Sequence, residues 1–268
     1  MKKLLIFLLV ANMYVYSQFS GGKGTAGNEY LIGSKEDIYA LIDSINAETE
    51  TKKYSDKHYK VIKNIRDSVR KCIPFFSGNW NGQGYKVTLA LNNYKSENNK
   101  YNHCGLFSYV QDALLRNIVI DGYIKDDSSY SQFLGGVVGY AKTTYIYNCV
   151  NLAKIIATNP CVAGICGHFE FGGKIENCIN LGKIESYSVY GTTFIGGLVG
   201  HYIYSIFQDY KGPIIIKSIN AAFIKTKIGW SAGLIGLEEV KNVPTIFNSI
   251  STGIIECEEK INGISNTR

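Results

Sequence analysis

Two short words alternate five times along the second half of this chain, and any fold must accommodate them. The first word is rich in glycine. It reads CGLFS at Cys104–Ser108, GGVVG at Gly135–Gly139, AGICG at Ala163–Gly167, GGLVG at Gly196–Gly200 and AGLIG at Ala232–Gly236, and NGIS at Asn262–Ser265 begins a sixth copy. Its key glycines, Gly105, Gly136, Gly164, Gly197, Gly233 and Gly263, are spaced by 31, 28, 33, 36 and 30 residues. The second word follows each full copy: LRNIVIDGYI from Leu115, IYNCVNLAKI from Ile146, IENCINLGKI from Ile175, IIKSINAAFI from Ile215 and IFNSISTGII from Ile246.

A unit of about thirty residues has too little apolar surface to fold alone, so stacked units must share one core. Neither word carries a 3.6-residue period, and both are built from short β-type runs. Successive units running the same way pair equivalent strands in parallel. The expected fold is all-β: a right-handed parallel β-helix, or β-solenoid, of about five to seven coils. A propeller is the rival, but its blades need about forty residues. The composition agrees, with 28 Gly, 4 Pro and 20 Tyr pointing to strands joined by glycine turns.

In this register the glycines Gly136, Gly139, Gly164, Gly167, Gly197, Gly200, Gly233 and Gly236 are expected to allow a tight corner or positive φ where coils approach closely. A phosphate loop at Gly196–Gly200 would need a following helix, and no GK[ST] occurs in the chain. Asn117, Asn148, Asn177 and Asn248 form one column, predicted to be a row of stacked amides at a corner, with Lys217 interrupting it and pointing outward. Cys149, Cys178, Ser218 and Ser249 form the next, predicted to be a small buried slot. The final column is Ile124, Ile155, Ile184, Ile224 and Ile255. A bend must fall within the second word, at a position left open by alternation alone.

The chain opens MKKLLIFLLVANMYVYSQ. Lys2 and Lys3, the apolar run Leu4–Ala11 and the small residues Val15 and Ser17 predict a signal peptide over residues 1–17, cleaved before Gln18. No run approaches the roughly 18–20 apolar residues that span a bilayer, so no membrane span is expected and the GxxxG of Gly196 and Gly200 is not a transmembrane contact. The formal charge of +6 falls to +4 without Lys2 and Lys3, and basic residues do not cluster, so nucleic acid is not an expected partner. Seven cysteines, Cys72, Cys104, Cys149, Cys161, Cys166, Cys178 and Cys257, match no zinc spacing and read mainly as small core residues.

Residues 18–103 form a leader without a clear repeat, before the repeat region 104–268. Ser34 and the acidic residues after it predict a capped helix over about Lys35–Asn46, with Ile38, Leu41, Ile42 and Ile45 on one face. His58–Ile65 reads as a strand, and Phe76–Leu91 as a strand pair with Asn-Gly turns.

The order GxGT, YLI, Ser with a helix, FSGNWNGQGY (Phe76–Tyr85), and then GLF and GGLVG words resembles bacterial GLUG-motif proteins. Gly197-Leu198-Val199-Gly200 spells that motif. The resemblance implies a leader forming the first coils and cap of a β-helix, and a secreted or surface protein, adhesin-like in some members. The motif also occurs beside protease domains of the IgA-cleaving type. This chain departs from the pattern at Ala163, Ala232 and Ser108, and in lacking the customary acidic residue in the turn Trp80–Tyr85.

No catalytic set emerges from the residue pattern. The histidines are His58, His103, His168 and His201, and HExxH is absent. His201, His168 and Tyr140 each follow a repeat glycine. The favoured reading places His201 at the surface or a corner, and the alternative is a stacked aromatic strip. Glycosidases need two carboxyls flanking the bond. Of Asp121, Asp126, Asp127, Glu176, Glu185 and Glu256, only Glu185 and Glu256 occupy equivalent positions. They lie two coils apart, at roughly 10 Å from a strand spacing of about 4.8 Å, with Lys225 between them, which reads as a surface charge row.

The tyrosines Tyr123, Tyr130, Tyr140, Tyr145, Tyr147, Tyr187 and Tyr190 suit contact surfaces better than chemistry. The insertion His201–Lys211 is aromatic, so His201, Tyr202, Tyr204, Phe207 and Tyr210 are the candidate ligand contacts. The sequence therefore predicts a non-catalytic, secreted adhesion or binding protein with no cofactor or metal. Its partner would be a host or matrix protein or glycan. The alternatives are a polysaccharide-active β-helix enzyme and a passive spacer. The open end of the solenoid also predicts end-to-end self-association unless the edge is covered.

Overall fold

A computed structural model describes residues 19–48, 53–94, 102–127, 133–158, 161–188, 193–203, 214–239 and 246–258. The chain is an all-β parallel solenoid of about six turns with one short helix. Its paired strands all run in parallel, in three sheets of 12, 11 and 5 strands among the described residues.

One coil illustrates the path. Phe133–Gly135 lies in the short sheet, Val138–Tyr147 in the long sheet, and Val150–Asn151 with Lys154–Ala157 in the second sheet. The next coil repeats it in register: Phe133 pairs with Cys161, Val138 with Cys166, Ile146 with Ile175, and Ile155 with Ile184. Parallel pairing stacks like on like. Leu91, Ile124, Ile155, Ile184, Ile224 and Ile255 therefore form one row, and the first five are fully buried.

The bend in the second word lies at its third column. Asn117, Asn148, Asn177, Lys217 and Asn248 all adopt left-handed backbone, with φ of 54°, 53°, 52°, 48° and 48°. Asn tolerates this region better than other non-glycine residues. The bend lets Ile146 and Cys149 both point inward, three residues apart, where strict alternation would separate them. At the start of the column the amides bond along the axis, Asn148 Nδ2 donating to Asn117 Oδ1 at 3.2 Å and Asn117 Nδ2 to Asn81 Oδ1 at 2.9 Å. Cys149, Cys178 and Ser218 fill the buried slot behind them.

The repeat glycines do not need positive φ, because none of Gly105, Gly136, Gly139, Gly164, Gly167, Gly197, Gly200, Gly233 or Gly236 adopts it. They are required by close approach instead. A Cβ on Gly136, Gly164, Gly197 or Gly233 would overlap Asn151, Asn180, Asn220 or Ser251 respectively. These four residues are a second row, absent from the sequence reading. Asn151 donates to Asn180 at 2.9 Å, Asn180 to Asn220 at 3.0 Å and Asn220 to Ser251 Oγ at 3.2 Å, with all three asparagines fully buried. The last glycine of the word serves another contact. A Cβ on Gly139, Gly167 or Gly200 would meet backbone of the short sheet at Cys104, Leu134 or Val162.

The helix spans Lys35–Asn46 as predicted. Ser34 and Asp37 form its capping box, and Ile38, Leu41, Ile42 and Ile45 are buried. The predicted strand pair within 76–91 is not a hairpin. Asn79–Asn81 joins the long sheet beside His58–Val61 and Leu114–Arg116, whereas Lys86–Asn92 joins the second sheet beside Val119–Asp126. The turn between them is the solenoid corner. The predicted strand 58–65 likewise divides, into His58–Val61 and Ile65–Val69. Tyr59, Phe76, Trp80 and Phe107 fill this end of the core, with ring centroids 5.1–6.2 Å apart. No described helix is long and apolar enough to cross a membrane.

Candidate functional site

The long and short sheets meet at a notch, because the word-final glycines let backbone approach backbone. Aromatic side chains fill it. Phe75, Tyr109, Tyr140, His168 and His201 are in register on successive long-sheet strands. Tyr109 and Tyr140 stack at 4.8 Å and 20°, and Tyr140 and His168 at 4.7 Å and 24°. From the short sheet, His103 stacks on Tyr140 at 5.2 Å and Phe133 on His168 at 4.4 Å. This is the stacked strip that the sequence offered as the alternative.

His201 is therefore not a surface residue. It is 7% exposed, inside the notch, and Tyr202 beside it is fully buried on the core side of the strand. The remaining candidate contacts Tyr204, Phe207 and Tyr210 lie outside the described residues. His168 and His201 approach Nδ1 to Nδ1 at 3.2 Å, so one ring donates and the other accepts. Burial pushes His168 down to about 3, helped by His201 and His103, and pushes His103 down to about 4. Both rings stay neutral at ordinary pH, which suits packing and not proton transfer.

Asp121, Glu176 and Glu185 are engaged by lysines, whereas burial raises Glu170 above the usual carboxylate range. Glu185 meets Lys154 at 2.8 Å and Lys183 at 2.5 Å, Glu176 meets Lys174 at 2.8 Å, and Asp121 meets Lys86 at 3.2 Å. Burial opposes ionisation of Glu185, but its two lysines together hold it below the usual range. A backbone bond from Gly122, aided by Lys86, does the same for Asp121. Lysine partners favour ionised carboxylates, whereas a general acid needs a raised pKa. Glu185, Lys225 and Glu256 do stand in one register row on the second sheet. Among the described residues, no group of three or more His, Cys, Asp or Glu gathers as for a metal ion.

A different surface is open. Leu115, Ile146 and Ile175 point inward in the long sheet, fully buried, so the residues flanking them point outward. Leu114, Tyr145 and Lys174 form one outward row, and Arg116, Tyr147 and Glu176 the other. All but Arg116 line a groove of about 240 Å³ that also reaches Ile146. Tyr145 is 54% exposed. Arg116 Nη1 donates to the Tyr147 hydroxyl at 3.2 Å. The rows continue across neighbouring coils through Asn79 and Asn81 to His58 and Lys60. Reading each second word from one residue earlier, as LLR, YIY and KIE, gives this out-in-out pattern.

No family model and no curated protein matches the sequence. A solved structure does. It is a Bacteroides ovatus protein described as "a putative immunoglobulin A1 protease", with a TM-score of 0.55, 15% identity, and coverage of 91% of this chain and 81% of that one. At that identity the likeness establishes the shared β-solenoid architecture.

Proposed function

We propose that this chain is a secreted or surface-displayed bacterial protein of the GLUG type that binds a host or matrix ligand without transforming it. The observation that carries this reading is the outward face around Tyr145 and Tyr147. It offers exposed aromatic surface and hydrogen-bonding groups, while the neighbouring Glu176 is engaged by Lys174. Binding surfaces are enriched in tyrosine for its large, rigid, amphipathic ring. The likeness to the Bacteroides ovatus protein brings with it a protease reading for that protein.

The candidate contacts Tyr204, Phe207 and Tyr210 belong to the same proposal. The strands on either side of the insertion bearing them, Val199–Ile203 and Ile214–Ile216, both pair with Cys166–Glu176, the strand that brings Lys174 and Glu176 to the groove.

Surface-binding assays with the secreted chain, residues 18–268, test this reading against immobilised matrix proteins and polysaccharides. Saturable, reversible binding is expected, with no reducing ends or peptide fragments released. Turnover of a bound ligand, or the absence of binding to every surface, would overturn it.

A further inference from the structure

We infer that the groove at Tyr145 is a subsite for one ring of an uncharged polysaccharide; this rests on the binding function proposed above. Three features of the groove lead there. Its sides are Leu114 and the rings of Tyr145 and Tyr147, a surface on which the C–H face of a pyranose can lie.

The groove's charges are also matched within the protein. The two charged residues that line it, Lys174 and Glu176, pair with each other at 2.8 Å. A charged sugar would have to break the Lys174–Glu176 pair to gain a counter-ion. A neutral one can accept from the lysine and donate to the glutamate while leaving the pair intact.

The third feature is size. At about 240 Å³ the groove falls below the roughly 300–1,000 Å³ of sites that enclose a whole small ligand. It is also not closed off, since Tyr145 is more than half exposed. It therefore accepts one unit and lets a chain continue along the sheet. In one direction that path crosses Asn79 and Asn81, which stand at the same register positions.

The test is affinity electrophoresis of the secreted chain through gels containing laminarin, galactomannan or arabinoxylan. Parallel gels contain polygalacturonate or heparin, and a collagen-coated surface supplies a protein ligand. The wild type should be retarded by at least one neutral polymer, with little change between about 0.05 and 0.5 M salt, since no ion pair forms with the ligand. Tyr145→Ala should weaken that interaction by about two- to tenfold, the scale of a lost aromatic stacking contact. Tyr85→Ala, at a 38% exposed tyrosine outside the groove, should leave it unchanged. Circular dichroism identical to wild type shows that each variant folds.

Retardation by neutral polymer that survives Tyr145→Ala overturns the subsite. Binding confined to the anionic polymers or to collagen overturns the uncharged-sugar assignment and leaves the binding function standing. No binding to any of the six overturns both.

Discussion

Gly164 and Asn180 occupy adjoining space so tightly that a methyl on the glycine would overlap the asparagine carboxamide. The same relation joins Gly136 to Asn151 and Gly197 to Asn220. The glycine word and the second word are thus two halves of one contact, which is why they recur together. The glycine removes a side chain so that a buried amide can stand there and bond to its copies in the neighbouring coils.

Gly164→Ala is expected to destabilise the protein by about 1–3 kcal/mol through overpacking. Asn180→Ala should cost a similar amount, because it leaves the buried amides of Asn151 and Asn220 each short of a partner. The atoms nearest to a Cβ on Gly164 all belong to Asn180. The double variant should therefore lose less than the sum of the two. Urea unfolding of the four proteins measures this, and strict additivity would count against the pairing.

Lys217 holds the left-handed corner that asparagine holds in the other four coils. Lysine has no local side-chain bond to offset that conformation. Lys217→Asn should stabilise the fold by about 0.5–1 kcal/mol, visible as a rise of roughly 1–4 °C in Tm. An unchanged or lower Tm would show that the corner carries little strain.

Acid should weaken the notch. His168 and His103 titrate near 3 and 4 in the folded chain because burial disfavours their charged forms. Unfolded histidine titrates near 6.5. The unfolded state therefore takes up protons first as pH falls. The stabilisation is whole above about pH 6.5 and declines below it, until the folded rings themselves protonate near 4 and 3. Each histidine contributes a slope of about 1.4 kcal/mol per pH unit in that window. His168→Phe should reduce the loss of stability between pH 6.5 and 5, measured as urea midpoints at the two pH values. An equal loss in wild type and variant would remove His168 from the account.

The repeats made the parallel solenoid legible, because like residues at a fixed period can only be stacked or wasted. The helix Lys35–Asn46 was legible to the residue, since Ser34, Asp37 and the apolar spacing are all local signals. The leader's coils were implied by the family resemblance but not by their own residue pattern. His58–Val61, Asn79–Asn81 and Lys86–Asn92 carry no glycine word, and their place in the sheets depends on strands far along the chain. His201 was misplaced for a related reason. Its sequence neighbours suggest a corner, and only the approach of the short sheet buries it.

The sequence by itself determined the coil period and most of the columns that stack. These follow from residue type and spacing, which one chain states in full. Tertiary structure decided which side of each column faces solvent. It closed the notch over His168 and His201, and it turned Tyr145, Tyr147, Lys174 and Glu176 onto one open face. That choice depends on where the chain bends. The bend is set by left-handed corners at Asn117, Asn148 and Asn177, whose geometry becomes fixed only when the coils pack against one another.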